Sequence, residues 1–198
     1  MRLEVYMNGF CKLLALMMAL FVFTTHAKAD AFEIGKFVLG ALSSVAVHEL
    51  GHAAVAEARG GDVTKIELFK GGSLSGATHI TNFDKLSRKD AQYIYASGLL
   101  ATSLATEVII RNENLHDKSF AQGMLAVNLL SNASYVYNFY TQPSGKDDID
   151  LYEANDGNPH VFNALLLAHT LYSIYRIDHD TNIVPYVKRN LIGISVDF

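Results

Sequence analysis

Two histidines and a glutamate lie close together in an otherwise apolar stretch of this 198-residue sequence. His48 and His52 are four residues apart, which places both imidazoles on one face of an α-helix, one turn apart. Both rings can therefore bind one ion, with Zn–N distances of about 2.0–2.1 Å. Glu49 can then act as general base on a zinc-bound water, as in the HExxH pattern of zinc peptidases. The spacing predicts a zinc site and a hydrolytic reaction.

The surroundings of this cluster strengthen that prediction. Residues 37–57 (FVLGALSSVAVHELGHAAVAE) are otherwise mostly apolar and long enough to cross a membrane. Ionisable side chains in such a segment are costly without a partner, and they are functional by default. A metal ion would give both imidazoles a partner. The alternative interpretation is a structural cluster whose polar groups pair with one another.

Four apolar segments of nearly membrane-spanning length must position this chemistry. They are residues 37–57, 91–110, 120–140 and 161–177. Residues 63–69 and 75–80 have a strand-like pattern and are separated by glycines, which predicts a β-hairpin after the first segment. We predict a mainly α fold, a polytopic membrane helix bundle of about four mature spans with a short β-hairpin insertion. A soluble, all-helical periplasmic enzyme is the alternative.

The first thirty residues have the pattern of a secretory signal peptide. Residues 13–23 form an uninterrupted apolar run after a basic start, and Ala27-Lys28-Ala29 ends the segment with a small-x-small sequence. The run is shorter than the roughly 20 residues of a membrane span. We predict a signal peptide over residues 1–29 and a membrane metalloprotease-like domain over residues 30–198. An uncleaved first membrane helix is the alternative for residues 1–29.

Composition and charge restrict the class of protein further. Half of the residues are hydrophobic and 18% are charged, which excludes a disordered chain. The net charge of −4 argues against nucleic acid as a partner. The single cysteine, Cys11, excludes a cysteine-rich zinc finger. Six basic residues follow the first mature span, which predicts a multi-pass protein of the cell membrane with this loop in the cytoplasm and an exported N-terminus. They are Arg59, Lys65, Lys70, Lys85, Arg88 and Lys89.

The residues around the cluster resemble the site-2 protease family of intramembrane zinc metalloproteases. The resemblance rests on residues 48–53 (HELGHA), on Gly60-Gly61 and on residues 66–69 (IELF), in the order in which that family has a membrane helix, a glycine and a β-hairpin. Residues 96–101 (ASGLLA) are similar to the family's A-G-P-L-A-N helix start. The sequence departs from the family pattern at Leu99, where proline is expected, and it has no L-D-G motif. It would be a divergent, minimal member.

A third metal ligand is needed, because a catalytic zinc takes three protein ligands and leaves one position for water. From the residues alone, Glu107 and Glu153 are available as carboxylate ligands, and His160, His169 and His179 are reserve candidates. The family resemblance instead implies an aspartate after the third span. It favours Asp148, with Asp147 as the next candidate.

Two asparagines in the third span are candidates for binding substrate. Asn128 and Asn132 are four residues apart and share a helix face. The resemblance implies that an asparagine near the third ligand binds the substrate strand or the oxyanion. Bridging between neighbouring helices is the alternative. An extended substrate can also add as a strand to the open edge of residues 63–69.

Together these features predict an intramembrane zinc metalloendopeptidase with Zn²⁺ as cofactor and Glu49 as general base. Its partners would be membrane-protein or membrane-proximal peptide substrates and membrane lipid, and not nucleic acid. The alternative from a different class is a non-catalytic metal-binding membrane scaffold or regulator of the same fold.

Overall fold

A computed structural model describes residues 31–68 and 75–180, and the backbone of residues 184–188 and 191–195. The signal peptide predicted over residues 1–29 lies outside the described residues and stays a prediction. The described chain is mainly helical with two small antiparallel sheets. In chain order the elements are α1 (Ala31–Ala58), β1 (Val63–Glu67), β2 (Ala77–Ile80), α2 (Arg88–Arg111), α3 (Glu113–His116), α4 (Ser119–Thr141), α5 (Asp148–Ala154), α6 (Pro159–Asp180), β3 (Val184–Lys188) and β4 (Leu191–Ser195).

Each of the four long helices contains one of the predicted apolar segments. Helices α1 and α2 are long and apolar enough to cross a membrane. Only 39% and 50% of their most apolar windows are buried within the protein, whereas the core helix of a soluble protein is mostly buried. The mainly helical fold is confirmed, α1 and α2 are candidate membrane spans, and a bundle of four membrane spans stays a prediction.

Glycines end α1, as the sequence predicts. Gly60 has a φ of +83°, which few residues other than glycine adopt readily. The N–H of Gly61 then donates to the carbonyl of Ala56, at an N···O distance of 2.7 Å. This arrangement satisfies a carbonyl in the last turn of the helix and turns the chain into the hairpin.

Strands β1 and β2 form the hairpin that the sequence predicts after the first apolar segment. They pair antiparallel, with Lys65 opposite His79 and Ile66 opposite Thr78. The base of the hairpin is fastened to α1, because the N–H of Val63 donates to Oε1 of Glu57 at 2.9 Å. The hairpin therefore lies against the helix that carries the histidines.

Helices α1 and α4 approach each other backbone to backbone through two glycines. A Cβ placed on Gly40 would lie 2.7 Å from the carbonyl carbon of Phe120, and one on Gly123 would lie 2.9 Å from the carbonyl carbon of Phe37. No side chain larger than a hydrogen atom fits such gaps unless the backbone moves. Small residues of this kind allow close helix packing in membranes.

Two apolar clusters hold α2, α4 and α6 together, one at each end of their shared interface. The first consists of Ala96, Leu99, Ile149 of α5, Phe162 and Leu166, and the α4 side chains Tyr135, Val136 and Phe139 pack against it. The second consists of Ile109, Ile110, Ala121, Leu125, Leu129 and Ile177. These clusters form the apolar core of the described helices.

A layer of buried polar side chains lies between the two clusters, and we call it the polar layer. Its members are Ser103 and Thr106 of α2, Asn128 and Asn132 of α4, and Thr170 and Ser173 of α6. The amide of Asn128 donates to the carbonyl of Thr102 at 3.0 Å and to Oγ1 of Thr106 at 3.1 Å. The amide of Asn132 donates to Oγ of Ser103 at 3.2 Å. Hydrogen bonds therefore join α2 to α4 at this level.

The structure corrects one element of the sequence prediction. By sequence, residues 142–158 have the pattern of an acidic loop, with a proline, a glycine and three close aspartates, but they contain helix α5. Asp147 caps this helix, since its Oδ1 accepts the N–H groups of Ile149 at 3.1 Å and Asp150 at 2.9 Å. Ile149 is fully buried in the first apolar cluster. The cap and this buried side chain outweigh the preference of three close carboxylates for solvent.

Candidate metal centre

Three side chains meet between α1 and the start of α5. Nε2 of His48 lies 2.9 Å from Oδ2 of Asp148, and Nε2 of His52 lies 3.3 Å from the same oxygen. The two Nε2 atoms are 3.0 Å apart. The side chains of His48, His52 and Asp148 are only 12%, 8% and 15% exposed. Three possible ligand atoms therefore face one small, largely buried volume.

Local structure explains how these residues come together. His48 and His52 lie one turn apart on α1, as their spacing predicts. Asp148 is the first residue of α5, and the capping contacts of Asp147 fix the start of that helix. Of the two predicted aspartates, Asp148 lies beside the histidines and Asp147 serves as the helix cap.

Neighbouring helices orient both imidazole rings. Nδ1 of His52 donates to the carbonyl oxygen of Ile94 on α2, at 2.6 Å. A neutral His52 then carries its lone pair on Nε2, the atom that faces His48 and Asp148. The ring of Tyr135 on α4 lies nearly parallel to that of His48, with centroids 6.0 Å apart. The rings are therefore held in place by contacts outside the cluster.

Gly98 of α2 leaves room for the two ring nitrogens. A Cβ at this position would lie 2.7 Å from Nε2 of His48 and would also overlap Nε2 of His52. In the sequence, Gly98 lies in the ASGLLA segment that is similar to the family's helix start. The structure adds that its missing side chain keeps space open beside the possible ligand atoms.

The residues fit a zinc ion by chemistry and by spacing. Two imidazole nitrogens and one carboxylate oxygen are a donor set that zinc takes in catalytic sites. Ligands about 2.0–2.1 Å from a tetrahedral ion lie roughly 3.3 Å from one another. The observed separations of 2.9, 3.0 and 3.3 Å are close to that value.

The charge of Asp148 suits a metal ligand as well. Burial by itself raises the pKa of this carboxyl, but hydrogen bonds and charge interactions with His48 and His52 outweigh burial and hold the pKa below its usual range. Asp148 is therefore an anion at neutral pH. An anionic oxygen beside two imidazoles offsets part of the charge of a divalent cation.

Glu49 is buried beside the cluster without belonging to it. Its Oε2 accepts a hydrogen bond from Oγ1 of Thr78 on β2, at 2.8 Å. A Cβ on Gly76 would lie within 2.6 Å of the carboxylate carbon of Glu49. The carboxylate is therefore packed against the hairpin, next to His48 in the chain. This position suits a proton acceptor more than a metal ligand.

Asn128 and Asn132 lie inside the polar layer. Asn128 is fully buried, and its Oδ1 accepts a short hydrogen bond from Oγ of Ser44 on α1. With its bonds to Thr102 and Thr106, this asparagine joins three helices. These contacts correspond to the helix-bridging interpretation. Their role in binding substrate stays a prediction.

The other candidate ligands lie in different surroundings. Glu107 forms ion pairs with Arg111 at 3.0 Å and Arg176 at 2.8 Å, and His169 lies 3.4 Å from its other oxygen. His160 stacks on Tyr140 at the exposed end of α4. Neither group includes the residues of the His48–His52–Asp148 cluster.

Sequence reasoning missed two residues at the site. By sequence, Tyr135 belongs to a group of tyrosines at the end of the third apolar segment that is typical of an aromatic belt at the membrane surface, but its ring stacks on His48. Thr78 was an unremarked residue of a strand-like run, and no pattern in the chain links it to Glu49. The helical period could have placed Tyr135 on the same face of α4 as Asn128 and Asn132, because Tyr135 follows Asn128 by seven residues and Asn132 by three.

The fold and the site define a mainly helical protein in which three side chains could hold a metal ion, with a buried glutamate beside them. Comparison with known families identifies it more closely, because residues 13–144 match the Peptidase M50B-like family, which is 132 of the 198 residues. The chain belongs to that family, the site-2 protease family. The match contains His48, Glu49 and His52 and ends four residues before Asp148. No curated protein and no solved structure matches the chain.

Family membership suggests a metalloprotease of the M50 type and a membrane protein. The family match does not extend to Asp148, so this residue is linked to the site by geometry alone. The resemblance predicted from residues 48–53 is confirmed.

Proposed function

We propose that this protein is an intramembrane zinc metalloendopeptidase that hydrolyses peptide bonds of membrane-associated substrates. The observation that carries the proposal is the largely buried triangle of His48, His52 and Asp148, with the carboxylate of Glu49 beside it. Membership of the site-2 protease family supports the same reaction.

In this proposal His48, His52 and Asp148 hold the metal through two Nε2 atoms and one carboxylate oxygen. When bound, zinc supplies a Lewis acid that brings the pKa of a water molecule towards ~7 and polarises the substrate carbonyl. Ile94 and Tyr135 keep the two rings oriented, and Gly98 places no side chain against their Nε2 atoms.

Glu49 moves the protons of the reaction. Its carboxylate takes one proton as the water oxygen forms a bond to the carbonyl carbon of the scissile peptide. The same carboxyl group then gives that proton to the peptide nitrogen as the C–N bond breaks. The second proton of the water also ends on the released amine, so the products are one carboxylate and one ammonium group, and Glu49 returns to its ionised form. Burial of Glu49 keeps bulk water away from this exchange.

Exposed apolar side chains support a membrane location. Leu100, Leu104 and Val108 recur every four residues along α2 and are 55%, 66% and 55% exposed. A similar set lies on α6, where Leu165 and Leu171 are largely exposed. Contact with lipid would remove this apolar area from water, which is favourable by about 25 cal/mol per Å². We therefore place the protein in the cell membrane as a multi-pass protein, with lipid and membrane-protein segments as partners.

An extended substrate would pair with the hairpin. Among the described strands, β1 has β2 as its one partner in the sheet. Its other edge offers backbone groups to a substrate strand. Replacing residues 63–67 one at a time by proline should lower cleavage at alternate positions. Unchanged cleavage across this series would remove the pairing from the proposal.

The central test compares metal content with cleavage in the full chain, purified in detergent. Wild type and Glu49→Gln should each hold about one zinc per chain, because Glu49 is not a ligand. Only wild type should cleave a transmembrane peptide reporter. His48→Ala should lose both zinc and cleavage. Cleavage by purified Glu49→Gln would refute Glu49 as the base, and a zinc-loaded wild type that cleaves no membrane substrate would favour the scaffold or regulator.

A further inference from the structure

We propose that Thr78 is a positioning residue, whose hydroxyl orients the carboxylate of Glu49 for proton transfer. The proposal rests on the proposed function, in which Glu49 is the general base. In this proposal strand β2 orients the general base, whereas strand β1 is the one that would pair with substrate.

The contact between Thr78 and Glu49 is direct and partly shielded from water. Oγ1 of Thr78 lies 2.8 Å from Oε2 of Glu49 and 3.1 Å from the main-chain oxygen of the same residue. Glu49 is buried, and Thr78 is half-buried. A hydroxyl that donates to a carboxylate forms one of the stronger hydrogen bonds in proteins. One side chain of the hairpin therefore contacts both the backbone and the charge of the base.

A glutamate that acts as general base needs a contact that fixes the position of its carboxylate. Its side chain has several rotatable bonds, and ordering it costs free energy. A general base must also lie within hydrogen-bond reach of the proton that it takes, at about 2.6–3.2 Å. A donor fixed on Oε2 restricts rotation of the carboxylate and leaves Oε1 as the oxygen to accept the proton. Gly76 packs against the same carboxylate and limits movement in that direction.

The hairpin is held in place by contacts that do not involve Thr78. At its base the N–H of Val63 donates to Glu57. Just after β2, the side-chain amide of Asn82 donates to the carbonyl of Gly60 at 3.0 Å. Its Oδ1 accepts the N–H of Asp62 at 2.7 Å, so the two ends of the hairpin are joined. Removal of the Thr78 hydroxyl should therefore leave the hairpin on α1. The contact to Glu49 can be tested by itself.

The chain offers a matched control on the same hairpin. Oγ1 of Thr81 donates to Oδ2 of Asp62 at 3.0 Å, on the exposed side of the structure. Thr78→Val and Thr81→Val each replace a hydroxyl by a methyl group of similar size. Thr78→Ser keeps a hydroxyl and removes a methyl group. The three variants separate loss of the hydrogen bond from loss of packing.

The experiment measures kcat, KM and zinc content of these variants in detergent. Thr78→Val should lower kcat by at least about 10-fold, which is part of the roughly 10²- to 10⁴-fold that general acid–base catalysis contributes, because the base itself remains. KM and zinc content should stay as in wild type. Thr78→Ser should stay within about threefold of wild-type kcat, and Thr81→Val should be unchanged. Wild-type or higher kcat in Thr78→Val, or equal losses in Thr78→Ser and Thr78→Val, would overturn the proposal.

A second measurement keeps this proposal separate from the proposed function. We would measure Tm for Thr78→Val, Glu49→Ala and the double variant, all as zinc-free protein. This measurement does not depend on enzymatic activity. If the hydroxyl bonds the carboxylate, the two losses in Tm should not add. Additive losses would overturn the contact even in an active enzyme. Non-additive losses in a protein that never cleaves would retain the contact and reject the proposed function.

Discussion

Nε2 of His52 lies in the space that the Cβ of any residue other than glycine would occupy at position 98 of α2. The same virtual Cβ would be 2.7 Å from Nε2 of His48. Both possible metal-ligating nitrogens therefore depend on one absent methyl group. This relationship connects the close packing of α1 on α2 to the chemistry of the site.

Gly98→Ala should weaken metal binding while leaving the fold intact. A methyl group there pushes the imidazoles apart, and we expect a loss of about 10- to 100-fold in zinc affinity, as for other changes beside metal ligands. Alanine is the better helix former by about 1 kcal/mol, so helix α2 itself should not weaken. Competition with a chromogenic chelator measures the affinity. Gly35→Ala is the control, because nothing lies within 4 Å of a Cβ at Gly35.

Replacing the two neighbouring aspartates should give different results. Asp148→Ala removes an oxygen that lies 2.9 and 3.3 Å from the two ring nitrogens, and the purified protein should lose zinc. Asp147→Ala removes the cap of α5 and should lower the free energy of unfolding by about 1 kcal/mol. Its zinc content should stay close to one per chain. Elemental analysis and thermal unfolding of both variants check this, and zinc retained by Asp148→Ala would exclude it as a ligand.

Asn128→Ala should reduce stability more than it affects substrate binding. The change leaves the hydroxyl of Ser44 and the groups of Thr102 and Thr106 without their present partner. Unpaired buried groups cost about 1–3 kcal/mol each, and we expect a total loss of about 2 kcal/mol or more. Thermal unfolding measures this loss, and the exposed Asn114→Ala is the control, expected within about 0.5 kcal/mol of wild type. A raised KM at unchanged stability would favour the substrate-binding interpretation instead.

Gly40→Ala should lower stability although alanine favours helices. The added Cβ would meet the backbone of Phe120, and overpacking of this kind typically costs 1–3 kcal/mol, so we expect a loss of about 2 kcal/mol. Gly35→Ala in the same helix should gain or keep stability. Unfolding of the two variants side by side checks the difference. Equal stabilities would mean that α1 and α4 are not in backbone contact.

Much of the fold and the centre of the site could be predicted from the chain. The four-residue spacing of His48 and His52 predicts one helix face, because helix geometry is local. The glycines after Ala58 predict the end of α1 for the same reason. The apolar segments predict the long helices, since their length and composition are properties of neighbouring residues.

What could not be predicted depends on contacts between residues distant in the chain. Thr78 reaches Glu49 across 29 residues, and nothing in the hairpin sequence specifies which side chain faces α1. Helix α5 was missed because carboxylates at 147, 148 and 150 are typical of a solvated loop. Only the burial of Ile149 against α2 and α6 shows that this segment packs inside. Asp148 was favoured as the third ligand through the family resemblance. Its closeness to His48 depends on the packing of α5 and could not be predicted from the residues alone.

The glycine contact between α1 and α4 has a consequence for the distance between the histidines and the aspartate. Gly40 precedes His48 by about two helical turns, and α4 leads directly towards Asp148. The backbones of Phe120 and Phe37 lie against Gly40 and Gly123, so α1 cannot slide along α4 without a backbone clash. The distance between the histidines and Asp148 therefore depends in part on two glycine hydrogen atoms that lie about two helical turns away from them.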